Sequence, residues 1–285
     1  MTRRVLVPVQ VLKGETVSPG VAEVLADVPV VLLGYHVLPE QTPPGQGKLE
    51  FEEQAQNKLE DVVELFEEYD ASLETRIVFT HDAEKTIDRV ADEAHCDAYL
   101  LPNPTPQVEK VLVPVHPKVA VDRVVDYAVA LLADQDASIT VFATADDDET
   151  EAEREELVRA AIDRFRDHGV ASERLDSRLE LTDAPVRATA TAATEFDLVV
   201  MGERAPSLRS VVFGEEVDQI AELSVGPVLV VRRPREPEPD EVVEAAEEAE
   251  AEREVMDAAE QEAVESVMEE DDADAEDEDT DEPRS

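Results

Sequence analysis

The sequence has one cysteine, Cys96, no tryptophan, nine glycines and only 4% aromatic residues. A single thiol excludes an internal disulfide framework and any multi-thiolate metal site. Basic residues are also scarce: 25 lysines and arginines stand against 71 aspartates and glutamates, for a formal net charge of −46. A surface of that sign repels phosphates, which argues against nucleic acid or anionic lipid as a partner. No stretch approaches the ~20 apolar residues of a membrane span. The opening MTRRVLVPVQ runs straight into a strand-like segment without the apolar core of a signal peptide. The expectation is a soluble, cytoplasmic protein.

What is present fits a folded chain. Hydrophobic residues make up 42% of 285 positions, which at ~150 residues per domain gives about two domains. The acid excess is uneven. Residues 1–106 carry 8 basic and 20 acidic side chains, residues 107–233 carry 14 and 26, and residues 234–285 carry 3 and 25. Strong acidity with few lysines, even in the apolar-rich part, is the pattern of proteins soluble in concentrated salt, where screening relieves self-repulsion.

The chain repeats. Arg4-Val5-Leu6-Val7-Pro8-Val9 returns as Lys110-Val111-Leu112-Val113-Pro114-Val115, and Cys96-Asp97-Ala98-Tyr99-Leu100-Leu101-Pro102 aligns with Phe196-Asp197-Leu198-Val199-Val200-Met201-Gly202. Two landmarks in the same order predict related domains at 1–106 and 107–233. Each alternates continuous apolar runs with segments of helical period, which predicts βαβ units: a doubly wound parallel sheet with helices on both faces. In the second copy the expected strands are Val111–Val115, Ser138–Ala143, Leu175–Leu181, Leu198–Met201 and Pro227–Val231, with a last helix over Gly214–Leu223. The first copy offers Val5–Val9, Val30–Val37, Leu73–Phe79 and Ala98–Leu101. Gly14, Pro19 and Gly20 make its first helix short or irregular, and only a linker with Pro102, Pro104 and Pro106 follows its fourth strand. The first domain is therefore expected to be truncated, lending at most four strands.

This pattern resembles the universal stress protein family in its tandem form. The likeness rests on Val111-Leu112-Val113-Pro114-Val115, on Phe196 through Gly202, and on Phe213-Gly214 leading to Gly226-Pro227-Val228-Leu229-Val230-Val231. It implies a five-stranded Rossmann-like sheet of the adenine nucleotide alpha hydrolase-like type. It also implies pairing of the two domains as an intramolecular pseudo-dimer, with a homodimer as a further possibility. Some relatives bind ATP through an acid after the first strand and a G-x2-G-x9-G-[ST] loop after the fourth. Here Gln10 and His116 stand at the acid's place. Gly202 is present, Ala205 replaces the second glycine, Gly214 comes one residue early, and Glu215, followed by Glu216, stands where a hydroxyl is expected. Carboxylates at a helix N-terminus already use the favourable end of its dipole and repel phosphate. The degenerate nucleotide site is therefore Gly202, Gly214, Glu215 and His116. No cofactor is expected, and ATP is an alternative confined to 107–233.

Other residue types give less. His36 and His116 end or follow strands at the carboxyl edge of the sheet, where open α/β folds bind ligands. Cys96 has no cation beside it in sequence to activate it and reads as a buried thiol. Asp146-Asp147-Asp148-Glu149 lacks the spaced ligands and turn glycine of a calcium loop. Ser207 and Ser210 specify no modification. No nucleophile–base–acid set and no metal-ligand spacing stand out. Residues 234–285 split into an Ala/Glu helical stripe to about Met268, coiled-coil-like in spacing, and an almost pure Asp/Glu end expected to be disordered. A solubilising role suits this tail, and an unknown basic protein is its candidate partner. The expected function is a non-catalytic regulatory or ligand-sensing module of a stress response. The alternatives are an ATP-binding switch or slow ATPase, and an interaction module regulating a transporter.

Overall fold

Runs of buried branched aliphatics make the strands. In a computed structural model of the chain, the described residues are 3–39, 41–42, 44–133, 135–145, 148–203, 220–221 and 224–233. Contacts divide the chain after Arg233, and the fold described is that of residues 1–233. In its first half β1 (Val5–Val9), α1 (Pro19–Leu25), β2 (Val30–Val37), α2 (Pro44–Glu67), β3 (Leu73–Thr80), α3 (Ala83–Glu93) and β4 (Ala98–Leu101) follow in order. The second half runs β5 (Lys110–Pro114), α4 (Val121–Leu131), β6 (Ser138–Ala145), α5 (Asp148–Asp167), β7 (Leu175–Leu181), α6 (Pro185–Ala193), β8 (Leu198–Gly202) and β9 (Val228–Val231).

All nine strands form one sheet, in the order β3-β2-β1-β4-β9-β8-β5-β6-β7. Side chains alternate between its faces. Val5, Val7, Leu32, Leu100, Val113, Val141, Val200 and Leu229 pack with α1, α2, α4 and α5 on one side. Leu6, Val31, Leu33, Leu112, Phe142, Val199 and Val230 pack with α3 and α6 on the other. Both faces are covered, which is why the strands read as unbroken apolar runs.

The halves join at the centre. The place beside β4 is filled by β9, with Ala98 opposite Val231 and Leu101 opposite Val228. On its other edge β9 pairs in parallel with β8, Val199 opposite Val228. The sheet is thus not wholly parallel, which corrects the parallel sheet expected from sequence. A single strand lies between the halves, its direction is set by β8, and toward β4 that direction is antiparallel. The first half contributes four strands to the sheet.

The proline-rich linker after β4 is fixed by hydrogen bonds. Ser18 Oγ accepts from the Thr105 amide at 2.9 Å, and the Gly20 amide donates to Thr105 O at 3.2 Å. Gly20 is required by this approach, since a Cβ there would lie 2.8 Å from both Gln107 N and Thr105 O. Asn103 Nδ2 donates to the carbonyls of Ala221, Ser224 and Gly226, the last at 3.1 Å. The linker therefore bonds to the first helix of one half and to the approach to β9 in the other.

The observed elements match the expected spans closely. The first helical segment is indeed divided, into a 3-10 turn at Val11–Lys13 and the seven-residue α1. Of the helix expected over Gly214–Leu223, only Ile220 and Ala221 are among the described residues, and both are helical. No described helix is long and apolar enough to cross a membrane. The expectations for residues 234–285 lie outside the described residues.

Candidate functional site

At the carboxyl ends of β5, β6 and β8 a solvent-open cleft is lined by Pro114, Val115, His116, Val119, Phe142, Ala143, Thr144, Thr189, Met201 and Gly202. The strands that end here are held by ladder bonds, and the turn after β5 contributes His116 and Val119 to the rim. Open parallel sheets bind ligands at this edge. Two of the four residues singled out by sequence, His116 and Gly202, meet in this cleft. Gly214 and Glu215 lie outside the described residues, as do Ala205, Ser207, Ser210 and Glu216.

His116 sits in the β5–α4 turn. Its Nδ1 accepts from the Lys118 amide at 3.1 Å, and its carbonyl accepts from the Val119 amide at 2.9 Å. The imidazole thus organises the turn as well as lining the cleft. Gly202 ends β8 beneath Val119. A Cβ at Gly202 would overlap Val119 Cγ1 and stand 2.9 Å from Val124 Cγ2. Thr189 is buried, and its hydroxyl donates to Pro185 O at 2.9 Å within α6. Sequence reasoning missed Val119, Thr144 and Thr189. Nothing in their spacing marks them, because they come from a turn, a strand and a helix that only the fold brings together.

The corresponding edge of the first half is built differently. Gln10, expected at the place of an acid, is buried, and its amide donates to Glu15 Oε2 at 2.6 Å. A carboxylate is therefore supplied from five residues further on, where the strand-end reading did not look. Burial, with Glu15 adding to it, pushes the neighbouring Tyr35 hydroxyl up to about 12. His36 lies on β2 with its ring 5.5 Å from that of Phe51 and 6.3 Å from that of Phe79. Its Nδ1 is buried without a hydrogen-bond partner. Burial, and then Lys13, hold its pKa below the ordinary value.

Cys96 is buried just before β4. Its sequence neighbours include no cation, but the fold brings Arg4, Arg232 and Arg76 within electrostatic reach. Burial outweighs all three and raises the thiol to about 11. Among the described residues no group of three or more His, Cys, Asp or Glu side chains is placed to hold a metal. Of the acidic run at 146–149, the described part begins α5.

Comparisons with known proteins bear on the second half most directly. Residues 107–232 match the model of the Universal stress protein family. No curated protein matches the sequence. Among solved structures, a universal stress protein from Archaeoglobus fulgidus is similar with a TM-score of 0.57 at 16% identity, over 82% of this chain and 97% of that one. A universal stress protein in complex with cAMP is 23% identical, with a TM-score of 0.37 over 45% of this chain and 98% of its own. The cytoplasmic domain of a prokaryotic cation chloride cotransporter is 12% identical, with a TM-score of 0.44 over 81% and 95%. The first of these supports the fold across both halves, and residues 107–232 are similar to the universal stress protein family.

Proposed function

We propose that the protein is a non-catalytic, ligand-sensing module of the universal stress type, acting in the cytoplasm with its two halves serving as a built-in dimer. Its ligand site is the cleft at the carboxyl ends of β5, β6 and β8. The observation that carries this reading is the convergence of His116 and Gly202 on that cleft with Thr144 and Thr189. A concave site with a few placed polar groups suits small-molecule recognition. Among the described residues the lining pairs no nucleophile with a base, in keeping with sensing.

Native mass spectrometry of freshly purified full-length protein tests the reading. The expected result is a retained small molecule, lost when Thr144→Phe fills the cleft mouth. A parent with the mass of the bare chain, and with a melting temperature unmoved by a panel of nucleotides and small metabolites, would overturn it.

A further inference from the structure

Two consecutive residues at the end of β9 hold different parts of the molecule. The Arg232 side chain grips the first half, through Asp88 at 2.9 Å and Asp92 at 2.7 Å on α3 and through Cys96 O at 3.3 Å. The Arg233 side chain holds the second half, where its Nη2 donates to Lys118 O at 3.2 Å in the β5–α4 turn. That turn is a wall of the cleft, since His116 and Val119 both line it. The strand that leads to the two arginines is stiff: Val228–Val231 is buried throughout and paired along both edges. The backbone of both arginines is fastened as well, the Arg232 amide to Asp97 O at 2.8 Å and the Arg233 amide to Glu203 Oε2 at 3.0 Å. Close-packed interiors transmit displacement instead of absorbing it. A second connection closes a ring. Helix α4 begins just after the turn, and its N-cap residue, Ala120, supplies no side-chain bond. Arg123 in its first turn reaches Asp97 at 3.4 Å, and the Tyr127 hydroxyl donates to Arg4 O at 3.0 Å. Asp97 of the first half thus receives α4 on its carboxylate and Arg232 on its carbonyl.

We infer that Arg232 and Arg233 form a strap that couples the wall of the cleft to the first half, so that a molecule seated against the β5–α4 turn is read at α3. This device rests on the proposed ligand site and adds the route by which occupancy is passed on. Neither arginine lines the cleft, and both act as positioning residues. Coupling of this kind is reciprocal: loosening the grip on α3 loosens the turn, and releasing the turn loosens α3. The strap gives the two halves one mechanical joint, made of a rigid strand end and two side chains that face opposite ways along the seam.

Amide hydrogen exchange of the full-length chain, followed by mass spectrometry at one fixed molar KCl concentration, reads the strap without any ligand. Arg233→Gln removes the bond to Lys118 and keeps the backbone bond to Glu203. It is expected to speed exchange about threefold in residues 116–120 and also in α3, with α5 and β7 unchanged. Arg232→Leu combined with Asp88→Asn and Asp92→Asn removes the grip on α3 without leaving bare carboxylates. In that background Arg233→Gln should speed the turn and no longer reach α3. The strap is overturned if α3 of Arg233→Gln exchanges as in the parent. It is equally overturned if α5 and β7 quicken to the same extent, which marks general loosening, or if the effect on α3 survives in the combined background. Should Arg233→Gln fail to fold, the combined variant decides: faster exchange in the turn supports the strap and parental exchange there overturns it. The two readings fail separately. A parent that retains a small molecule in native mass spectrometry while the effect of Arg233→Gln stops at the turn sinks the strap alone. A bare parent whose Arg233→Gln variant quickens both the turn and α3 sinks the sensing reading alone.

Discussion

Gly202 shows how one residue type serves two readings. In the sequence it reads, through the family resemblance, as the surviving glycine of a phosphate loop. In the fold its lack of a side chain is demanded by packing, with Val119 and Val124 against its Cα. Gly202→Ala is expected to destabilise the protein by about 1–3 kcal/mol, the range for overpacking a tight site. Chemical denaturation should show the lowered midpoint, and adding Val119→Ala should recover part of the loss. Recovery would identify Val119 as the obstruction, whereas equal loss in both variants would place the strain elsewhere. Cys96 has the opposite lesson. Its sequence neighbours include no cation, but the three arginines that oppose burial come from the residue before β1, from β3 and from the segment after β9, and no local sequence window contains them.

The pairing of α4 with α5 is fixed by polar groups as well as by the core. Asp126 on α4 accepts from Arg164 Nε and Nη2 of α5, both at 2.8 Å. His168 Nε2 lies 3.0 Å from the same carboxylate. The hydrogen bonds from Arg164 lead in holding the Asp126 pKa below its ordinary value, against a smaller opposing effect of burial. A carboxylate with a depressed folded pKa contributes stability that is present above its unfolded value. That contribution is lost as pH falls through the folded value. Asp126→Asn should therefore lower the melting temperature at neutral pH and flatten the acid limb of the stability profile below about pH 4. Parallel acid limbs in parent and variant would refute this role. The two outer edges show the repeat at the level of contacts. Arg76 of β3 pairs with Glu93 at 3.5 Å and Arg178 of β7 pairs with Glu195 at 3.2 Å. Element identity and most boundaries were legible because continuous buried aliphatic runs and helical spacing are local signals.

Across the molecule, the halves are locked where β9 ends. Arg232 is buried, and its Nη2 bonds Asp88 at 2.9 Å and Asp92 at 2.7 Å on α3 of the first half. Its Nη1 donates to Cys96 O at 3.3 Å. Arg123 of α4 reaches Asp97 at 3.4 Å, and the Tyr127 hydroxyl donates to Arg4 O at 3.0 Å. Arg232→Leu leaves two neighbouring carboxylates without this cation. The expected loss is about 2 kcal/mol, below that of a fully buried pair because both aspartates keep some exposure. Combining it with Asp88→Asn and Asp92→Asn should restore most of that stability in a thermal melt, and no restoration would remove the electrostatic account. Residues 1–233 carry 22 basic and 46 acidic side chains, a net of −24. Screening should therefore win over the loss of individual ion pairs, and the melting temperature should rise by about 5–10 °C between dilute buffer and molar KCl. A melt that is flat with salt would contradict the expectation drawn from composition.

The sequence by itself showed the α/β class and the spans of most described strands and helices, because each is written in short-range apolar period. It also brought forward His116, which follows a strand at the sheet edge, and Gly202, through the glycine pattern of the resemblance. Tertiary structure alone decided that one strand closes both halves, that it runs antiparallel to β4, and that Val119 covers Gly202 under a turn fastened by Arg233. The physical reason is distance along the chain. Gly202 and Val119 are 83 positions apart, and Arg232 and Asp88 are 144 apart. Contacts of that kind leave no periodic trace in the sequence and exist only once the sheet has set the order of its strands.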